Sequence, residues 1–313
     1  MKKLIVLLVS LLVIFCIGVY VFIPGKLTIT SSTVIAVSDN GAERYITHEG
    51  SWAKWWPYDS VATAPGAKGY VCNGDVFKMT HAFYKSANVH ISHQELELES
   101  KLVMIPLRMD STAIEWKSSV AMPANPFSRL MQYFQLKHVK KNMDQVLATL
   151  NRFLSKNENI YGINIERTSI KDTSFISARS VFRMHPSTPQ IYALIKTIQD
   201  FAAKNNVKQT NAPIYNIMQV ENGQYQLMAA IPVDRTLPGN NTFSSKRMVR
   251  GSFMVTEVLG GEYTVEKASQ SLKQYFNDYR KTSMAINFTM LITDRMLQPD
   301  TSKWITKLYQ PVY

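Results

Sequence analysis

The chain is poor in cysteine, with only Cys16 and Cys72 in 313 residues. Cys16 lies inside an apolar run and Cys72 far downstream, which excludes a disulfide scaffold, and no Cys/His group has zinc-ligand spacing. The nearest approach is His90-x-x-His93. In an alternating strand these rings face opposite sides, so no metal site is expected there. Glycine-rich phosphate loops and the G-x-S-x-G nucleophile turn are missing, and no cofactor is expected. Acidic residues are fewer than basic ones, 23 against 35, for a net charge of +12. That excess forms no basic block. The densest run, Lys137-His138-Val139-Lys140-Lys141, falls in a helical pattern and reads as its solvated face, so no nucleic-acid partner is expected. A hydrophobic fraction of 46% against 19% charged excludes wholesale disorder, and the length suits two domains.

One long hydrophobic run is present, Leu4–Ile23 (LIVLLVSLLVIFCIGVYVFI), without a charge. Twenty residues at helical rise cover about 30 Å, the thickness of a bilayer's hydrocarbon core. Lys2 and Lys3 before it keep the N-terminus cytoplasmic, and Pro24-Gly25 ends the helix. A cleaved signal peptide needs small residues where Tyr20, Phe22 and Ile23 stand, and bulky Phe15 precedes Cys16, against a lipoprotein signal. Residues 1–27 are therefore expected to be a single-pass anchor in a bacterial inner membrane, with the following domains extracytoplasmic.

The first soluble block spans 28–157. Leu27–Val37 reads as a strand and Asn40–His48 as a short helix leading into Trp52-Ala53-Lys54-Trp55-Trp56-Pro57. Alternating strands follow at Val89 and Ile91, at Leu96 and Leu98, and at Ile114, Trp116, Ser118 and Val120. Leu136, Val139, Met143, Val146, Leu147, Leu150 and Phe153 recur at three and four and predict a closing helix. Glu95, Glu97 and Glu99 line one strand face as solvated surface. This order, with its W-x-x-W-x-P turn and the helix Asn142–Phe153, resembles the START-related helix-grip family, also called SRPBCC or polyketide-cyclase-like. The resemblance implies an antiparallel sheet around a C-terminal helix, with an apolar cavity beneath it. Trp52, Trp55 and Trp56 are then either core and lid packing or an aromatic rim over a ligand.

The second block, 168–313, contains an internal repeat. Ser174-Phe175 recurs as Ser252-Phe253 and Pro232-Val233 as Pro311-Val312. Leu194, Ile198 and Phe201 map onto Leu272, Phe276 and Tyr279 at an offset of 78 residues. Each half, about 168–235 and 247–313, reads as strand–helix–strand–strand, and two such halves predict a pseudo-twofold α+β domain with a central cleft. The run Ile292–Val312, with Asp300-Thr301-Ser302-Lys303-Trp304 and Pro311-Val312, and the lead-in Leu259-Gly260-Gly261-Glu262-Tyr263 are similar to the gyrase-inhibitor-like, or transcription-activator effector-binding, domain. Members that bind cationic drugs or hydrolyse small strained substrates carry a glutamate and a tyrosine in the strand before that ending. Here Asn287-Phe288-Thr289-Met290-Leu291 puts Thr289 and Leu291 in those places. Threonine neither attracts a cation nor acts as a general base.

No catalytic group is expected, and Asp110-Ser111 and the scattered histidines read as surface. The resemblances imply a sensor or carrier of small hydrophobic or amphipathic molecules. A structural module with collapsed pockets and a small-substrate hydrolase are the alternatives. The expected ligand-binding residues are Tyr215, Phe288, Thr289 and Trp304 in the second block and Trp52, Trp55 and Trp56 in the first. Without the family glutamate the second pocket is expected to favour uncharged ligands, unless Glu257 or Glu262 takes over its role.

Overall fold

A computed structural model describes residues 2–57, 61–64, 67–170, 174–248, 251–283 and 285–312. It is an α+β protein with two antiparallel sheets and divides into two compact units, Met1–Lys156 and Asn157–Tyr313.

The first unit opens with helix α1 (Lys2–Phe22), whose mean hydropathy is 3.1 and whose aliphatic side chains are largely exposed. It is the one helix among the described residues long and apolar enough to cross a membrane. Strand β1 (Lys26–Ile35) follows, then short helices α2 (Asp39–Ile46) and α3 (Glu49–Trp52). A meander of β2 (Val61–Ala64), β3 (Ala67–Cys72), β4 (Asp75–Phe83), β5 (Ser86–His93), β6 (Leu96–Arg108) and β7 (Ser111–Ala121) completes a seven-stranded sheet in the order β1-β7-β6-β5-β4-β3-β2. The strands alternate as their sequence predicts. Val89, Ile91, Leu98, Ile114 and Trp116 are buried, whereas Glu95, Glu97 and Glu99 are exposed.

Helix α4 (Pro126–Leu154) packs against β1. Asn125 caps it by accepting from the Phe127 and Ser128 amides, and Pro126 fills the first turn, where a missing N–H costs nothing. Its buried stripe is Leu136, Val139, Met143, Val146, Leu147, Leu150 and Leu154. Phe153, expected in that stripe, is half-buried with its ring edge-on to Tyr45.

The second unit starts with α5 (Asn157–Tyr161), which buries Ile160 and Tyr161; the Tyr161 hydroxyl bonds Asp278 at 2.8 Å. The polar stretch Ser155–Asn164 thus contains a docked helical turn. The division falls at its start, and β8 (Glu166–Ser169) already belongs to the second sheet. Then come β9 (Ser174–Phe182), α6 (Thr188–Lys204), β10 (Ile214–Gln219), β11 (Tyr225–Pro232) and the extra strand β12 (Ser244–Arg247). Strand β13 (Ser252–Leu259), helix α7 (Glu262–Asp278), β14 (Phe288–Leu291) and β15 (Ile305–Val312) follow. The sheet runs β12-β9-β11-β10-β14-β15-β13-β8.

Two successive segments therefore share the order strand–helix–strand–strand. Burial along their helices repeats at an offset one residue shorter than the sequence comparison gives. Ile191, Ile195, Ile198 and Ala202 of α6 correspond in burial to Ala268, Leu272, Tyr275 and Tyr279, each 77 residues on. Leu194 and Phe201 are only half-buried. Burial follows which side of a helix meets the sheet, and one residue of slip rotates a helix by about 100°.

Candidate functional site

The two central strands of the second sheet meet over only two residue pairs, Ile214 with Met290 and Tyr215 with Thr289. Beyond them the ladder stops, and Asn216 donates from Nδ2 to the Asn287 carbonyl at 2.8 Å. A groove of about 500 Å³ opens here, floored by Tyr215, Ile217, Thr289 and Leu308 and walled by Ile191 of α6 and Val265 of α7. A second cavity of about 350 Å³, lined by Phe175, Ile214, Met228, Met248 and Ile286, has Arg179, Lys246 and Arg247 among its lining residues. Tyr215, Asn216 and Phe288 border both.

The turn after β14 brings in Arg295, which lines the groove although only 6% exposed. Its guanidinium lies over the Trp304 ring at 4.6 Å and donates from Nη2 to Thr306 Oγ1 at 2.9 Å. Its backbone amide donates to the Tyr192 hydroxyl at 2.9 Å, and that hydroxyl donates to the Thr293 carbonyl. Burial raises the Tyr215 phenol above its ordinary pKa; the Arg295 charge and hydrogen bonding to Thr289 and Arg295 oppose this. Tyr215 therefore stays a neutral hydroxyl at neutral pH. Among the described residues, four buried side-chain polar atoms lack a hydrogen-bond partner: Ser31 Oγ, Thr256 Oγ1, Asn216 Oδ1 and Arg295 Nε. The last two belong to residues lining the groove. Buried polar groups are ordinarily paired, so each exception calls for a local cause.

Glu262, Tyr263, Glu266 and Lys273 reach the groove from α7, exposed at its mouth. The Thr188 hydroxyl donates to Glu262 at 2.5 Å. Helix α7 can begin there because Gly260 takes φ +132°, where an added Cβ would sit 2.9 Å from Thr264 Oγ1.

The expected site residues divide. Tyr215, Phe288 and Thr289 come together at the groove. Trp304 borders neither cavity. Its indole N–H goes to the Gln298 carbonyl at 2.8 Å, and its ring supports Arg295 instead. Glu257 is also outside the groove, paired with Lys307 at 3.2 Å, whereas Glu262 lines it. Sequence reasoning missed Arg295, because an Asp-Arg pair in a turn reads as solvated surface; the only hint was its position just past the Phe288–Leu291 strand.

In the first unit the tryptophans are core, and the rim expected of them is corrected. Trp52, Trp55 and Trp56 are 0%, 4% and 8% exposed. Their N–H groups are spent on the backbone carbonyls of Ile46, Tyr45 and Val71. Trp52 stacks on Trp56 at 5.3 Å, and Trp56 also meets Tyr70 and Phe77. An indole satisfied by its own backbone and closed in by other rings has no polar handle left for a ligand.

No protein-family model matches the chain, and no curated protein matches it. Among solved structures it is similar to the C-terminal domain of EcmrR, at 13% identity and TM-score 0.42, over 48% of this chain and 98% of that one. SAV2435 bound to tetraphenylphosphonium is similar at 12% identity and TM-score 0.32, over 48% and 94%. The Aha1 dimer from Colwellia psychrerythraea is similar at 18% identity and TM-score 0.31, over 41% and 96%. With TM-scores below 0.5, these likenesses decide neither fold family nor ligand. The topology and the groove define an α+β protein of two antiparallel-sheet units, the second with a partly polar cleft between two helices.

Proposed function

We propose that this is a single-pass membrane protein whose second unit binds a small amphipathic molecule in the groove between α6 and α7, without catalysing a reaction on it. On this reading the second unit is a duplicated, pseudo-twofold effector-binding domain of the gyrase-inhibitor-like kind. The first is a helix-grip domain whose interior is filled by its own aromatic residues. The observation that carries it is Arg295, a buried cation lining a groove of mixed polar and apolar walls, with Nε unpaired. Desolvating a guanidinium costs several kcal/mol, and an acceptor on the ligand repays part of that cost. The ligand is therefore one with an apolar body and an acceptor or anionic end. This replaces the uncharged preference inferred from Thr289 alone. Among the described residues that line the groove, no hydroxyl or thiol is recorded bonded to a histidine or carboxylate of the same lining, which supports binding without turnover.

Anchoring is supported by the end of α1, which is part of the folded unit. Val19 and Ile23 are buried, Tyr20 donates to the Ala124 carbonyl, and the Arg129 guanidinium covers the Tyr20 ring at 4.5 Å. Cleavage would strip those contacts. The charge-sparse start of α4 carries exposed Phe127, Met131 and Phe134, and Phe15 of α1 meets Phe127 at 5.6 Å. Those side chains suit the lipid interface on the outer side.

The test is a displacement titration of the full chain in detergent, with an environment-sensitive dye and three twelve-carbon competitors: a carboxylate, an alcohol and a trimethylammonium. The carboxylate is expected to win over the ammonium by about tenfold, and Arg295→Met to erase that margin. Preference for the ammonium in the native protein would overturn the reading and hand the site to Glu262 and Glu266.

A further inference from the structure

In the first unit, far along the chain from the groove residues, three elements bring a carboxylate and two imidazoles together. Asp75 opens β4 directly after the Asn73-Gly74 turn, and His93 closes β5. The two strands are antiparallel with Val76 opposite Ser92, which sets Asp75 against His93. His138 comes from α4, whose next turn presents Asn142 to the same carboxylate. His93 Nδ1 lies 2.5 Å from Asp75 Oδ1, His138 Nε2 lies 4.0 Å from the same oxygen, and the two rings are 4.9 Å apart. One donor atom from each of the three falls within 4.8 Å of the other two.

We propose that Asp75, His93 and His138 form a binding site for one divalent first-row transition ion, with a coordination position left open to solvent.

Three observations lead there. First, Asp75 is completely buried, and its recorded partners are the two imidazoles and the Asn142 amide, none of them a lysine or arginine. A buried carboxylate is stabilised by a positive charge beside it, and a divalent cation among these donors supplies one. Second, the donor atoms span the spacing an ion requires. Bonds of about 2.1 Å to a tetrahedral ion hold its ligands about 3.4 Å apart. The gaps of 2.5 and 4.0 Å to Asp75 Oδ1 lie on either side of that, so small side-chain shifts close the site. Third, the outer shell is built. Asn142 donates to Asp75 Oδ2 at 2.7 Å, and Asn73 donates to Asn142 Oδ1 at 2.9 Å and to Gln145 at 3.0 Å. Such contacts hold the second carboxylate oxygen away and leave Oδ1 for the ion. His138 is 42% exposed, which gives the ion a way in and leaves room for a water ligand. Two imidazoles and one carboxylate favour zinc, cobalt, nickel or ferrous iron over magnesium or calcium.

The experiment uses the untagged full chain in detergent, stripped with chelator and titrated with Co²⁺ and Zn²⁺. One equivalent of Co²⁺ should raise intense visible absorption, and Zn²⁺ should displace it. His138→Gln alters a half-exposed side chain and should weaken binding by about 10- to 100-fold without changing the far-ultraviolet circular dichroism. Asp75→Asn should abolish it. His90→Ala is the control, because half-buried His90 sits between the exposed Glu97 and Glu99 at 2.6 and 2.7 Å. Loss of binding in that variant would put the ion on the surface cluster and overturn the proposal. So would the absence of a stoichiometric cobalt spectrum, or an unchanged one in His138→Gln; the triad would then be an internal histidine–aspartate ion pair.

Discussion

Trp304 and Arg295 are stacked, with the guanidinium carbon 4.6 Å from the indole centroid, and both are at least nine-tenths buried. The pair couples a packing residue to a buried cation that lines the groove. Trp304→Leu keeps an apolar filler but removes the ring face, worth about 1–2 kcal/mol for a desolvated cation–π contact. The second unit should lose about 2–4 kcal/mol of stability once the smaller volume is included. Affinity for the twelve-carbon carboxylate should fall with it, though the tryptophan borders neither cavity. Urea unfolding and the dye titration, run on the same preparation, measure both.

Trp52 should behave oppositely. It is fully buried, stacked on Trp56 and bonded to the Ile46 carbonyl at 3.0 Å. Trp52→Ala should cost the first unit about 3–5 kcal/mol and leave groove binding within twofold. Denaturant unfolding followed by tryptophan fluorescence, with the dye titration as second readout, decides it. A large loss of binding at constant stability would return Trp52 to a ligand rim.

Cys72 gives a pH prediction. Burial, followed by the nearby Asp75 charge, pushes its thiol up to about 11. A free cysteine titrates near 8.5. The folded state therefore holds its proton more tightly than the unfolded chain. That contribution to stability is complete below about pH 8.5 and is lost as pH rises through about 11. At pH 8 only about a thousandth of Cys72 is thiolate, so Ellman's reagent should label it orders of magnitude more slowly than the urea-unfolded chain. Labelling at the unfolded rate would mean the thiol is open to solvent. Cys72→Ala should flatten the stability decline between pH 9 and 11.

Membrane topology is tested by a C-terminal alkaline phosphatase fusion in a bacterial host, expected to be active, with the protein retained in membranes after carbonate washing. An inactive fusion reverses the orientation, and release by carbonate removes the anchor. Tyr20→Phe with Arg129→Ala should leave the fusion active but loosen α1 from α4, seen as faster protease cutting near Pro24.

Much of this architecture is legible in the sequence because it rests on local periodicity. Leu136 to Leu150 mark α4, and the paired Ser-Phe and Pro-Val signals bracket both strand–helix–strand–strand segments. Thr289 was also within reach, since it stands at the middle of the strand predicted over Asn287–Leu291. What stayed hidden depends on register or on the far side of a turn. Asp75 and His93 become neighbours only when Val76 pairs with Ser92, and His138 joins them only through the way α4 crosses the sheet. Arg295 looks like any charged turn residue until Trp304 and Thr306 fold over it. The sequence leaves the three tryptophans between core and rim because their number is evident in it and the destinations of their N–H groups are not.

The exit from α1 has a mechanical consequence. Only Ile23, Pro24 and Gly25 separate that helix from β1, and the Met122 amide closes on the Gly25 carbonyl at 2.9 Å while Arg129 Nη1 reaches the Ile23 carbonyl. A long polar leash would let the first unit tumble freely beside its helix. This joint is stiff, so a twist or tilt of α1 turns the seven-stranded sheet with it, as a shaft turns a blade.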